Sequence, residues 1–435
     1  MSEERWIIRH VDLAEGPQAV TGPAAPHLLV FWWRDLPLGK RALLAAEMPF
    51  RREQVVEEAA RLIADQAHAR GRIRRAGYDG IPRTSLSLEE ALGAGGMIET
   101  LDQLAAQPAP GADNLSVVIC TRDRPKMLQG CLESLAAQAA PPGQVVVVDN
   151  SGDGNARGVC EGRAGVTYVH EPRPGLSVAR NAGIEAARGE FVAFTDDDVE
   201  LPANWTSELV RAFQNSDADA VTGLVLPARL DTAAQRAFEL DLGGFTSRFF
   251  PLVFDQSFLD ETKGFGPQVW RIGAGANMAF RRTVFARFGG FDERLGAGAS
   301  GCSEDSEYWY RILNGGGVCL YEPRCVVSHH HRADWAGLRS QFRAYMKGHV
   351  AALVAQADRY GHRGNIRRIF RQLPAYFART AAISVQNLTW WRLAILTEEV
   401  AGWAAGMPYL LRKGWRQQVR ESSPAPTPAP EVRHA

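Results

Sequence analysis

Neither sign of charge dominates this chain: 49 lysines and arginines face 49 aspartates and glutamates, for a formal net charge of +0. Proteins that hold nucleic acid through its phosphates need a basic excess, so nucleic acid is not expected as a partner. Cysteine is scarce too, with six residues: Cys120, Cys131, Cys160, Cys302, Cys319 and Cys325. Their spacing matches neither a zinc knuckle nor a dense disulfide scaffold, and such thiols fit a reducing cytoplasm. Long hydrophobic runs are missing. Without roughly 18 consecutive apolar residues no conventional membrane span is expected. The charged opening MSEERWIIRH lacks a signal-peptide core.

What the chain does have is length and an ordinary apolar content. At 435 residues it exceeds one average domain, and 46% hydrophobic residues suffice for a soluble core. Four regions are expected: an accessory α/β domain over 1–110, the main domain over 111–333, a helical region over 334–420, and a disordered proline-rich tail over 421–435. In the first, Leu28–Trp33 (LLVFWW) reads as a strand, Arg34–Gly39 as a turn and Arg41–Glu47 as a returning strand. Val55, Val56, Ala59, Leu62 and Ile63 recur at helical spacing within Phe50–Arg70, and Ser85–Leu92 reads as a second short helix.

The main domain alternates. Strands are expected at Leu115–Cys120, Gln144–Val148, Val166–His170, Phe191–Phe194 and Ala220–Leu226. Helices are expected at Lys126–Gln138, Ser177–Ala187 and Pro202–Gln214. Nearly continuous apolar strands between amphipathic helices predict a Rossmann-like α/β fold, a mostly parallel sheet flanked by helices. Asp231–Trp270 is irregular and rich in phenylalanine. It reads either as a core beneath a long excursion or as a mobile loop over a site.

The chemistry gathers where apolar runs end. FVAFTDDDVE, Phe191–Glu200, passes from a buried strand straight into Asp196, Asp197 and Asp198. Unpaired carboxylates cannot stay buried, so the strand must surface there and meet a cation or water. Thr121-Arg122-Asp123-Arg124 follows the first strand and Asp149 the second, and a parallel topology brings all three strand ends to one edge, where open α/β sheets bind ligands. Asp149 can accept hydrogen bonds from a nucleobase or ribose. The aspartate triplet can hold a divalent ion, since hard cations prefer oxygen ligands. His329-His330-His331 can add one imidazole to that shell, but neighbours on a strand point apart, so not all three. Glu304 and Asp305 open an aromatic helix, and a helix N-terminus should lower rather than raise a carboxylate pKa.

In order and spacing, SVVICTRDRP from Ser116, VDNS from Val148, GLSVARNAG from Gly175, AFTDDD from Ala193, GGFDE from Gly289 and the Glu304-Asp305 pair resemble the family 2 glycosyltransferases, which have the GT-A fold. The resemblance covers about half of the chain, Leu115 to about His331. It implies an inverting transfer from a nucleoside-diphosphate sugar to an acceptor hydroxyl of a glycan, a lipid-linked sugar or a small molecule, with Mn2+ or Mg2+. Carried over, Thr121, Arg122, Arg124, Asp149, Arg180, Asp196 and Asp197 would hold the nucleotide. Asp198 with His329 or His331 would hold the metal. Asp305 would be the base, with Glu304 beside it. Gly273–Asn277 (GAGAN) would line the sugar and acceptor pocket. Asp123 departs from the pattern, since many relatives carry asparagine there.

Beyond His331, Trp335, Leu338, Phe342, Tyr345 and Met346 form an apolar helical stripe. Further helices are expected over Ile366–Phe377 and Leu388–Trp415, interrupted at Pro374 and Pro408. The second reads either as a packing helix or as an interfacial helix flanked by Arg412, Lys413 and Arg416, which would place the protein peripherally at the inner face of the cell membrane. Homo-oligomerisation stays open. Two rival functions are an inactive GT-A-like module that binds glycan or nucleotide, and a nucleotidyltransferase, which would release pyrophosphate.

Overall fold

A computed structural model describes residues 5–70, 95–245 and 248–411. The helix read at Ser85–Leu92 and the tail over 421–435 lie outside the described residues, as do Arg412, Lys413 and Arg416. The strands form two sheets.

The smaller sheet has the order β1 (Ile7–Asp12), β2 (His27–Trp33), β3 (Leu36–Leu43). The LLVFWW run is buried because β2 serves two cores. Leu29, Phe31 and Trp33 pack with Val55, Leu62 and Ile63 of the helix Arg52–Arg70. Leu28 and Val30 point the other way, onto Leu224, Leu226 and Val326 of the main sheet and onto Phe249. The return strand starts earlier than expected. The hairpin turn is only Arg34-Asp35, with Arg34 in the left-handed region at φ 56° and its N–H on Asp12 Oδ1 at 2.9 Å. Pro37 falls within β3 beside a register shift, where its missing N–H is tolerated.

The larger sheet holds β4 (Leu115–Thr121), β5 (Gln144–Asp149), β6 (Val166–His170), β7 (Phe191–Asp196), β8 (Val199–Glu200), β9 (Ala220–Pro227), β10 (Leu252–Phe254), β11 (Asn277–Arg281) and β12 (Cys319–His329). Its order is β10-β12-β9-β11-β7-β4-β5-β6, with β8 paired to β12. From β7 to β6 all pairs are parallel, as the alternating pattern requires. Beyond β7 the sheet is mixed, because β11 lies antiparallel to both β7 and β9. Alternate residues of β4 face opposite layers. Val117 and Ile119 meet Leu128, Leu132 and Leu135 of the helix Pro125–Ala136. Val118 meets the helix Leu176–Ala186, where a Cβ on Gly183 would stand 2.3 Å from Val118 Cγ1. Glycine therefore brings that helix down onto the strand.

The irregular stretch after β9 packs as core rather than standing off as a loop. Phe238, Phe249, Phe250, Phe254 and Phe258 are buried, while Phe265 is exposed. In the C-terminal region the helix Trp335–Tyr360 packs along Trp390–Gly406, and Gly402 and Gly406 let the backbones approach. Pro374 marks the expected interruption: the helical run from Arg363 to Gln386 passes through a π segment, Arg368–Gln372, directly before the proline, and regular α-helix resumes at Leu373. Among the described residues no helix is long and apolar enough to cross a membrane.

Candidate active site

Registry does the first part of the assembly. β4 and β5 pair Thr121 with Asp149, and β4 and β7 pair Cys120 with Asp196, so three polar strand ends share one edge. β12 joins them through β8: His329 lies opposite Val199, and the His330 N–H reaches Asp198 O at 3.0 Å.

Asp149 is fully buried, and both its oxygens are engaged by the chain itself. Oδ1 accepts from Ser151 N at 3.0 Å and Ser151 Oγ at 2.6 Å, and Oδ2 from Ala156 N at 2.8 Å and Tyr168 OH at 3.0 Å. Burial alone would raise its pKa, but these donors outweigh it and the carboxyl lies below its ordinary value. The structure thus places Asp149 as the organiser of the loop 150–156. Asp123 has a related task. Its φ of 58° is left-handed, a conformation asparagine and aspartate tolerate, and its Oδ1 accepts from Asn155 Nδ2 at 3.0 Å. Arg122 is half exposed, 3.6 Å from Asp123.

Thr121 and Arg124 turn toward the aspartates. Thr121 Oγ1 donates to Asp197 Oδ2 at 2.7 Å. Arg124 reaches Asp197 Oδ1 at 2.6 Å and Asp198 Oδ2 at 2.7 Å. Burial pushes Asp197 up to about 7 against the pull of Arg124. Burial opposes ionisation of Asp198 as well, but His329 and Arg124 hold it below the usual carboxylate range. Asp196 is raised by burial and by the neighbouring Asp198.

Asp196, Asp198 and His329 each offer one ligand atom, and these atoms lie within 4.8 Å of one another. Two carboxylate oxygens and one imidazole nitrogen, without a thiolate, suit an oxygen-preferring divalent cation such as Mn2+ or Mg2+. At Asp198, Arg124 takes Oδ2 and leaves Oδ1 facing His329 Nε2 at 3.3 Å. Asp196, read from the sequence as a nucleotide contact, belongs to this group. His331 stands one layer behind His329, and His330 turns away to Glu200 at 2.8 Å.

The second acidic pair lies nearby. Arg180, almost fully buried, pairs with Glu304 Oε1 at 2.6 Å and reaches Asp196 Oδ1 at 3.8 Å, so it ties the two carboxylate clusters together. Asp305 Oδ2 accepts from Gly275 N at 3.0 Å, and Oδ1 from Ser306 N at 2.6 Å. The expectation of a lowered pKa at this helix end is corrected. Burial and the neighbouring Glu304 raise Asp305 to about 7, against Arg180, because loss of water outweighs the partial charge of the helix terminus. Gly275 must lack a side chain: a Cβ would lie 2.8 Å from Arg180 Nη2 and 3.3 Å from Asp305 Oδ2. Within the same GAGAN segment, Asn277 is buried and structural, donating to Leu224 O and Cys325 O.

Sequence reasoning missed three residues here. Arg332 follows the histidines, is exposed, makes no hydrogen bond or ion pair among the described residues, and its charge reaches Asp198 and Tyr345. Its place just after the triplet was the available signal. Glu239 and Lys40, behind His331, gave none, since one stands alone in an aromatic stretch and the other lies in the small sheet.

Residues 116–289 match the family model described as Glycosyl transferase family 2. The glucosyl-dolichyl phosphate glucuronosyltransferase of Haloferax volcanii is 28% identical over 56% of this chain and 79% of its own. The succinoglycan biosynthesis protein ExoM of Rhizobium meliloti is 28% identical over 49% of this chain and 66% of its own. The pre-mycofactocin glycosyltransferase of Mycobacterium tuberculosis is 27% identical over 59% of this chain and 52% of its own. A solved structure, the mannosyltransferase PcManGT from Pyrobaculum calidifontis in complex with GDP-Man and Mn2+, covers 74% of this chain and 89% of its own at 20% identity, with a TM-score of 0.44.

Proposed function

We propose, from the premise that residues 116–289 of this chain are a glycosyl transferase family 2 domain, that the protein moves a sugar from a nucleoside-diphosphate sugar to an acceptor hydroxyl, with inversion at the anomeric carbon. The observation that carries this reading is the closeness of two unlike acidic groups, the Asp196–Asp198–His329 cluster and the Asp305–Gly275 pair, joined through Arg180.

Each group then has a task. The loop held by Asp149 floors the nucleotide site, with Thr121, Arg122 and Arg124 on its rim. Asp196, Asp198 and His329 would hold Mn2+ or Mg2+, and a bound cation would supply positive charge to the diphosphate leaving group. Arg332 adds a second positive charge on the same side. Asp305 takes the proton from the acceptor hydroxyl; a pKa of about 7 suits a base working near neutrality. The hydroxyl oxygen bonds to the sugar carbon as the bond to the diphosphate breaks, and the electron pair leaves with the nucleoside diphosphate. Glu304 keeps Arg180 in place, which fixes the distance between base and cation site.

The relatives' names point to acceptors linked to dolichyl phosphate or belonging to a polysaccharide, and we take a glycan or lipid-linked acceptor as the class for this protein. The exposed Ile383, Val385 and Trp390 of the C-terminal helices, with Leu388 in the turn between them, would give a peripheral contact with the inner face of a membrane. The region over 111–333 is the proposed catalytic unit.

The test is nucleoside diphosphate release from a panel of UDP-, GDP- and dTDP-sugars with Mn2+ or Mg2+, beside Asp305→Asn. Release with one donor, lost in the variant while donor binding persists, is the expected result. Pyrophosphate release would instead select the nucleotidyltransferase reading. Binding without any release, with acceptors supplied, would select a binding module.

A further inference from the structure

Behind His329 stands a second row of polar groups that the proposed reaction does not itself use. His329 Nδ1 lies 3.0 Å from His331 Nδ1, His331 Nε2 lies 3.1 Å from Glu239 Oε2, and Glu239 Oε1 pairs with Lys40 Nζ from β3. The side chains of His331 and Glu239 are each only 1% exposed. Phe238 sets its ring edge-on against His331, with centroids 4.8 Å apart, and Phe245 does the same to His329 at 4.9 Å. Glu239 sits in a π-type turn, Ala237–Asp241, and the backbone of Gly244 passes so close that a Cβ would stand 2.5 Å from Glu239 Oε2. The row is packed from all sides.

Hydrogen-bond logic gives it a direction. A carboxylate paired with lysine only accepts, so the bond to Glu239 needs the proton on His331 Nε2. A neutral His331 then presents Nδ1 as an acceptor, and the 3.0 Å contact needs the proton on His329 Nδ1. His329 is left with its lone pair on Nε2, the atom that faces Asp198 Oδ1 at 3.3 Å. Two electron-rich atoms aimed at one another call for a positive centre between them: a proton, which makes His329 an imidazolium that donates to Asp198, or a divalent cation that takes the proton's place. Ligating histidines are oriented in this way by partners on their other nitrogen.

We propose that Lys40, Glu239 and His331 are positioning residues that set the tautomer and the aim of His329, so that the N-terminal sheet completes the cation site of the main sheet. The proposal rests on the reading of Asp196, Asp198 and His329 as a divalent-cation site. It gives the N-terminal region a purpose besides packing: it delivers one ammonium group to the far end of a buried row.

The test is Mn2+ titration of the full chain, read by electron paramagnetic resonance, together with 1H–15N NMR of the imidazole nitrogens in the metal-free protein. Wild type should bind Mn2+ and carry the His331 proton on Nε2. Glu239→Leu should mix the His331 tautomers and weaken Mn2+ about 10- to 100-fold, and Lys40→Met should weaken it by a smaller factor, roughly 5- to 10-fold. Glu239→Gln keeps an acceptor oxygen, so it should keep the tautomer and most of the affinity. Wild-type Mn2+ binding that neither Glu239→Leu nor Lys40→Met weakens overturns the proposal and leaves the cation reading standing. If Glu239→Leu does not fold, Lys40→Met decides alone, and unchanged affinity there overturns it. A wild type with the expected tautomer but no Mn2+ binding overturns the cation reading on which the proposal rests.

Discussion

At the sheet edge two buried carboxylates, Asp198 in one acidic cluster and Asp305 in the other, come out opposite. Asp196–Asp198 follow β7, and Glu304–Asp305 open the helix Glu304–Asn314. Burial opposes ionisation in both. In the first, Arg124 and His329 both bear on Asp198 and hold its carboxyl below the usual range. In the second, Arg180 pairs with Glu304, and Asp305, hydrogen-bonded to Gly275 and Ser306, is pushed up to about 7. The lesson is that burial and the charges facing each carboxylate decide together: Asp198, faced by Arg124 and His329, falls below its ordinary value, while Asp197, 2.6 Å from the same arginine, is still raised by burial to about 7.

That contrast can be broken from either side. The largest effect is expected from Asp305→Asn, which should lower kcat by about 100- to 10,000-fold while leaving donor affinity nearly unchanged, measured by turnover and by calorimetry. Asp198→Ala should break the other side: Mn2+ affinity should fall by more than about 100-fold, and turnover with it, because a ligand itself is lost and not merely its support. Full metal-dependent turnover in that variant would sink the assignment of Asp198.

Smaller changes sharpen the comparison. Gly275→Ala places a methyl against Asp305 and the buried Arg180–Glu304 pair, so kcat should fall by roughly 10- to 100-fold through misplacement of the base. The smallest effect concerns pH. A base must be unprotonated to act, and a pKa raised to about 7 means that kcat/KM should fall as pH drops below about 7. Glu304→Gln removes the like charge and frees Arg180 toward Asp305. Both changes favour the carboxylate, so the acid limb should move to lower pH. A limb that stays put, or moves up, would show that Asp305 is not the group titrating.

Much of this was legible before any coordinates, and for local reasons. Phe191–Asp198 announced a strand end that needs partners for its carboxylates, but the expected surfacing is corrected: Asp197 and Asp198 are buried and are met by Arg124 and His329. The parallel half of the sheet followed from apolar strands alternating with helical spacing in a short span. β11 was not legible: the GAGAN segment before it reads as loop, and NMAFR is too short to announce a strand antiparallel to its neighbours. The early start of β3 was hidden because Arg34 takes a left-handed turn that arginine does not advertise. Asp149 showed itself as important but not in which way, since its partners Ser151, Ala156 and Tyr168 act through geometry that spacing does not encode.

Residue types and their order are enough to name the carboxylates, the imidazoles and the strand ends that bear them, because side-chain chemistry and strand periodicity are local properties. Which carboxylate is ionised, which histidine faces Asp198 and which stands behind it, and why a lysine from the small sheet belongs to the same row depend on burial and on distances between segments far apart in the chain. Those arise only when the two sheets pack, since desolvation and hydrogen-bond direction are set by neighbours that no stretch of sequence contains.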